Sequence, residues 1–156
     1  MSAEEQTVRD RPLQILFVCV GNSCRSQMAE ALANHLGEGR VCAWSAGSRP
    51  AGWIAPGTEE VLQEKGISLA GHWSKGLEEV PAAEMDVVVG MGCEVVCPVP
   101  VGFKGRVVEW NIPDPYGRSL DLYRDVRDLI ETQVKALLER MALGDEEGAR
   151  GEEAGT

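Results

Sequence analysis

Cys19, Arg25 and the residues between them are the part of this chain whose types and spacing can do chemistry. The segment reads Cys19-Val20-Gly21-Asn22-Ser23-Cys24-Arg25-Ser26. It follows a continuous apolar run and precedes a stretch of helical periodicity. In such a strand-to-helix turn, successive backbone N–H groups and the positive end of the helix dipole converge on one point, which suits an anion. Cys19 is the candidate nucleophile, its thiolate favoured by the helix terminus and by Arg25. Arg25 can hold two oxygens of a tetrahedral anion at once. Gly21 lets the backbone turn without Cβ strain, Asn22 can lock the loop with its side chain, and Ser26 can donate its hydroxyl to the thiolate. The oxyanion contacts are therefore expected from Val20, Gly21, Asn22, Ser23, Cys24 and Arg25. The bland alternative is a strand cysteine followed by an ordinary turn. A bare Cys-x5-Arg does occur by chance, and it is the flanking strand and helix that favour catalysis.

The chain carries five cysteines, Cys19, Cys24, Cys42, Cys93 and Cys97. An odd count without a secretory signal points to reduced thiols rather than a disulfide framework. Cys93 and Cys97 flank Glu-Val-Val after a third apolar run, either as small buried hydrophobes or as redox thiols. Cys24 fits packing at least as well as chemistry, and Cys42 fits the core of a strand. A zinc site on these thiols would be short of histidine ligands, so no metal is expected. Asp114, before Pro115, is either a turn residue or a general acid.

These residues need a scaffold. The chain has 156 residues, 44% of them apolar and 26% charged, as expected of one soluble globular domain. No apolar stretch is long enough for a membrane span, and Met1 to Arg11 has no signal-peptide core, so a cytoplasmic protein with no membrane association is expected. The net charge of -10 argues against nucleic-acid binding, and any positive potential must be built locally. Residues 1–11 and 144–156 are expected to be disordered, the latter Gly-rich and acidic, and residues 12–143 to form a single catalytic domain.

Leu13 to Val20 reads as a strand buried on both faces. A helix fits from about Ser26 to Leu36, with Gly37 and Gly39 ending it. Val41 to Ser45 is a second strand. Pro56 suits a first helical turn, with Thr58 to Lys65 continuing the helix to Gly66. Ile67 to Pro81 reads as loop with a short helical piece. Met85 to Val89 and Arg106 to Trp110 are the third and fourth strands. Tyr123, Val126, Ile130, Val134, Leu137 and Met141 mark one face of a long last helix. This alternation implies an α/β fold with a parallel sheet, helices on both faces and right-handed crossovers.

The string FVCVGNSCRSQMAEAL resembles the active-site segment shared by low-molecular-weight protein tyrosine phosphatases and thioredoxin-coupled arsenate reductases. The resemblance runs from Leu13 to about Leu143 and includes Ser45-Ala46-Gly47, Gly66-Ile67, His72 and Asp114-Pro115. It implies a four-stranded parallel sheet of order 2-1-3-4. Gln27 after Cys-Arg-Ser, the Cys93/Cys97 segment and Trp110 resemble the reductases, whereas Asp114-Pro115-Tyr116-Gly117 is close to the phosphatase acid loop.

The reductase resemblance implies a thiol relay. Arsenate esterifies to Cys19 with Asp114 as acid, Cys93 attacks Cys19, and Cys97 moves the disulfide outward to an external reductant. Neighbouring turns of a regular helix hold Cβ atoms about 5–6 Å apart at i and i+4, and a disulfide needs roughly 3.5–4.5 Å, so Cys93 to Cys97 must be non-helical to pair. Some such relatives bind potassium through Asn, Glu, Ser and Asp. Asn22, Glu30 and Ser45 match, while the Asp is replaced near Ser74-Lys75, where Lys75 would supply the charge instead. No bound cofactor is then expected. The expected partners are arsenate or phosphate and thioredoxin, or a glutaredoxin-like protein with a small thiol, acting on a monomer. Two rival readings stand beside this one: a tyrosine phosphatase in which Cys93 and Cys97 are incidental, and a non-catalytic oxyanion sensor, which would have no need of the thiol.

Overall fold

A computed structural model of the protein describes residues 11–92 and 99–142. The expectations for the termini, and for Cys93 and Cys97, lie outside the described residues. Four parallel strands form one sheet in the order β2-β1-β3-β4: β1 Leu13–Cys19, β2 Val41–Gly47, β3 Val87–Met91 and β4 Arg106–Trp110. The connecting helices are α1 Arg25–Gly37, α2 Pro56–Gln63 and α3 Leu120–Ala142, with two short 3-10 turns at Leu77–Glu79 and Ala82–Glu84. No described helix is long and apolar enough to cross a membrane.

β1 is central, and the pleat divides its side chains between two apolar layers. Ile15, Phe17 and Cys19 face the layer built by α1, α2 and α3, together with Val87, Val89 and Met91. Leu16 and Val18 face the other layer with Val88, Val80 and Met85. The cover expected on both faces is therefore present in unequal form. The three α-helices share one face, and among the described residues the other is closed by the 3-10 turns and the neighbouring Trp44 and Phe103.

The differences from the sequence reading have local causes. Met85 belongs to a turn, its N–H bonded to Ala82 O, so β3 starts two residues later than expected and runs to Met91. β2 reaches Gly47, paired with Cys19, which brings its end under the loop. The left-handed residues that end α1 are Glu38 and Gly39 rather than Gly37. Gly37 is required for another reason: a Cβ there would lie 2.7 Å from the Val41 side chain. At the sheet edge, Asn34 on α1 pairs both polar groups of its amide with the Ala43 backbone, giving β2 a substitute for a missing neighbour.

The stripe of Tyr123, Val126, Ile130, Val134 and Leu137 on α3 is buried as expected, and Ile130 is wholly inaccessible. Ile130→Ala should lower the free energy of unfolding by about 2–5 kcal/mol in urea titrations, from lost burial plus the cavity left behind.

Candidate active site

The loop from Cys19 to Arg25 has a consistent hydrogen-bond polarity. Every carbonyl from Cys19 to Cys24 accepts a bond from its surroundings. Ser48 N–H binds Cys19 O, Arg49 N–H binds Val20 O, Ala51 N–H and the Ser74 hydroxyl bind Gly21 O, and Gln27 Nε2 binds Asn22 O. Ala55 N–H and the Thr58 hydroxyl bind Ser23 O, and Met28 N–H begins the α1 ladder at Cys24 O. No peptide bond among the described residues is cis. In a trans peptide the N–H points opposite to the preceding carbonyl. Six carbonyls turned outward therefore turn the N–H groups of Val20, Gly21, Asn22, Ser23, Cys24 and Arg25 inward. None of the six donates to another described group. The result is a ring of donors around the end of β1, with the α1 terminus behind it.

Two residues allow this curvature. Asn22 takes φ +50°, a left-handed conformation that Asn tolerates better than most residues. Gly47 lies directly beneath the loop, and a Cβ there would sit 2.5 Å from Val20 O. Gly21, by contrast, has no positive φ, and a Cβ there would meet only ordinary contacts at 3.7 Å and beyond.

Cys19 Sγ lies 2.9 Å from Ser26 Oγ, and Asn22 Nδ2 donates to the same Ser26 oxygen at 2.8 Å. Ser26 Oγ accepts from Asn22, and when Cys19 is a thiolate, which can only accept, the Ser26 proton is the one that bridges to the sulfur. Arg25 is 5% exposed and held from behind: Nη1 donates to Met91 O at 2.6 Å and Ile112 O at 3.2 Å, at the ends of β3 and just past β4. Its Nε is buried without a partner, and Nη2 lies 3.6 Å from Asp114 Oδ2. Nε, which has no partner, and Nη2, which meets only the Asp114 carboxylate, form the edge that can clamp two oxygens of an anion. Asp114 is more than half exposed, and its Oδ1 accepts Tyr116 N–H at 3.1 Å, so the carboxylate is both a turn former and a group at the site mouth.

Cys24 contributes its N–H to the ring, but its side chain points into the core, 3.6 Å from Tyr123 Oη. Burial pushes the Cys24 thiol above its ordinary range, and the Tyr123 phenol well above its own. Packing is therefore the role of its sulfur. Cys42 is half-buried on β2, and His72 Nε2 lies 3.7 Å from Glu30 in a structural contact.

The charge expected from Lys75 is present behind the loop, and what sequence reading missed is its burial. Lys75, 5% exposed, places Nζ 3.5 Å from Glu30 Oε1, 3.3 Å from Ser45 Oγ and 3.4 Å from Trp73 O, while its N–H holds Asn22 Oδ1 at 2.8 Å. Trp53 and Tyr116 were also missed as a pair. Their rings meet edge-on at 6.0 Å beside a groove of about 470 Å³ that Tyr123 and Pro56 also line. Neither grouping has a local signal in the sequence, because each joins segments far apart in the chain. Among the described residues no cluster of His, Cys, Asp and Glu could hold a metal ion.

A ring of inward N–H groups, a cysteine at its start and an arginine at its close define an oxyanion-binding thiol site on a 2-1-3-4 sheet. Residues 14–147 match the low molecular weight phosphotyrosine protein phosphatase family, and the chain belongs to it. The chain is 34% identical over 130 residues to the glutaredoxin arsenate reductase of Synechocystis sp., covering 83% of this chain and 98% of that protein. A solved structure described as an arsenate reductase in the phosphate binding state superposes with a TM-score of 0.73 at 32% identity, covering 82% of this chain and 98% of that one. The thioredoxin-dependent arsenate reductase of Corynebacterium glutamicum superposes with a TM-score of 0.70 at 29% identity, covering 90% and 67%.

Two outcomes follow from this geometry. Gly92 has φ +86°, and a Cβ there would lie 2.7 Å from Arg25 Nη1 and 3.0 Å from Ile112 O. Gly92→Ala should displace the guanidinium and weaken phosphate protection of Cys19 from alkylation by roughly tenfold or more, the loss of about one charged hydrogen bond. The raised thiol and phenol of Cys24 and Tyr123 keep their protons in the folded state while the unfolded chain ionises. Stability is then full below an ordinary thiol value of about 8.5 and falls as pH rises beyond it, more steeply above about 10. Urea midpoints measured from pH 7 to 11 check the sign, and Cys24→Ala should flatten the first part of the decline.

Proposed function

We propose that this protein is a cytoplasmic, monomeric arsenate reductase working through a covalent Cys19–arsenate adduct. The observation that carries the reading is the loop whose six N–H groups point at the Cys19 end of β1 with Arg25 and Asp114 at its mouth. Two of the similar proteins are named for arsenate reduction coupled to glutaredoxin or thioredoxin, which supports the same chemistry here.

Arsenate takes the N–H ring and the free edge of Arg25. Cys19 sulfur attacks arsenic, an As–S bond forms, and one As–O bond breaks with the oxygen leaving as water on a proton from Asp114. The Cys93 thiolate then attacks Cys19 sulfur. The S–S bond forms as the As–S pair stays on arsenic, which departs as arsenite. Cys97 next attacks Cys93, releasing Cys19 and leaving a Cys93–Cys97 disulfide for an external dithiol. Thioredoxin suits that last step. A small thiol acting on the Cys19 adduct, with a glutaredoxin-like partner, is the other route.

Lys75 supplies the positive charge behind Asn22, so the enzyme works without potassium or any other bound cofactor. The Trp53–Tyr116 pair favours a second reading at the same site, hydrolysis of an aryl phosphate whose ring lies against these side chains. Water then completes the cycle and Cys93 is not needed.

Reduced protein treated with arsenate, alkylated and mapped by peptide mass spectrometry should show a Cys93–Cys97 disulfide. Cys93→Ser should abolish it, halt arsenate turnover after one event at most, and leave aryl phosphate hydrolysis intact. The absence of any arsenate-dependent disulfide would remove the intramolecular relay and leave the small-thiol route. Replacing potassium by choline should leave turnover unchanged; a drop of roughly tenfold, about 1.4 kcal/mol, would contradict the role given to Lys75.

A further inference from the structure

Gln27 is wholly buried on the first turn of α1, one residue past Ser26, and none of the steps above uses it. Its Nε2 donates to Asn22 Oδ1 at 2.9 Å and to Trp73 O at 3.0 Å, with a longer, shared contact to Asn22 O at 3.4 Å. Its Oε1 is buried with no partner. An unpaired buried acceptor is costly, and a native one calls for an explanation. Turning the amide over would not relieve it, because Oε1 would then face two oxygens, Asn22 Oδ1 and Trp73 O. The orientation is thus dictated by the two acceptors that Nε2 serves.

The consequence runs through Asn22. Lys75 N–H, which can only donate, and Gln27 Nε2 both hold Asn22 Oδ1. With its oxygen pinned on that side, Asn22 presents Nδ2 to Ser26 Oγ, and toward a Cys19 thiolate Ser26 must be the donor. If Asn22 turned over, its oxygen would draw the Ser26 proton away and the thiolate would lose its donor. We propose that Gln27 is a positioning residue for Cys19: its amide, wedged between Asn22 Oδ1 and Trp73 O, acts with the Lys75 N–H to fix the direction of the Asn22–Ser26–Cys19 hydrogen-bond chain. It touches neither substrate nor reacting atoms and acts through two other side chains.

The inference rests on Cys19 being the nucleophile and adds to that reading. The test is the pH dependence of Cys19 alkylation by iodoacetamide, followed by mass spectrometry in the full chain. Gln27→Met keeps length and lack of charge while removing both polar ends. It should raise the pH midpoint of Cys19 alkylation by roughly one unit, the size of a weakened hydrogen bond to an ion. The thermal midpoint should stay level or rise, because an unpaired buried oxygen is gone. The charged groups around the chain, Lys75, Glu30 and His72 on one side and Arg25 and Asp114 on the other, are unchanged by the substitution.

In a Ser26→Ala background, Gln27→Met should produce no further shift, since the path to Cys19 is already cut. Gln27→Leu gives the same neutral loss in a different shape should the Met variant fold poorly. An unaltered midpoint in both variants, or a full second shift in the Ser26→Ala background, would overturn the proposal. If Cys19 in the parent protein alkylated with no defined midpoint, the nucleophile reading would fail instead, a result distinct from either.

Discussion

The backbone of the Cys19–Arg25 loop can point its N–H groups inward because everything around the loop binds its carbonyls. Gln27 and Met28 are local partners, and the rest come from far along the chain: Ser48, Arg49 and Ala51 after β2, Ala55 and Thr58 at the start of α2, and Ser74 beyond it. The β1–β2 register sets Cys19 against Gly47, and the absence of a side chain at Gly47 lets the two segments approach closely enough for these bonds. Six unpaired donors in a buried site would be costly to a folded protein without a guest. A tetrahedral oxyanion, with its many acceptor sites, satisfies them together.

Charge follows the same plan. The chain is strongly acidic, yet two buried cations stand on either side of the loop. Arg25 is anchored through Nη1 to carbonyls of Met91 and Ile112, which leaves Nε and Nη2 for the ligand. Lys75 is held by Glu30, Ser45 and Trp73 and bonds Asn22 through its backbone N–H. Because both cations are fixed by bonds that point away from the anion, little rearrangement is needed when substrate arrives, and preorganised donors are where such sites gain most of their effect.

Much of this was legible in the sequence for a definable reason. β1, β4 and α3 announce themselves by apolar runs and periodicity, and Cys19, Arg25, Ser26 and Asn22 by adjacency within a single turn. The sulfur of Cys24 escaped assignment because neighbours in a tight turn can face opposite ways, and its partner Tyr123 is 99 residues distant. Lys75 read as a charge near Asn22, Glu30 and Ser45 only through the family resemblance, since its burial depends on Glu30 and Ser45 arriving from α1 and β2. Gln27 read only as a mark of kinship. Its physical role depends on Trp73, which no local pattern ties to α1. The start of β3 and the cap of α1 shifted by one or two residues because a turn hydrogen bond and a close glycine contact outweighed propensity.

A tetrahedral oxyanion received by the inward N–H groups for attack by Cys19 should be visible in solution. The most direct measurement is an amide-resolved NMR titration of the Cys19→Ser protein, in which no adduct can form, with arsenate and then phosphate. The amide resonances of Val20 to Arg25 should move together along one binding curve, and the two anions should compete. Shifts confined to other surfaces, or none in this loop at saturating arsenate, would contradict it.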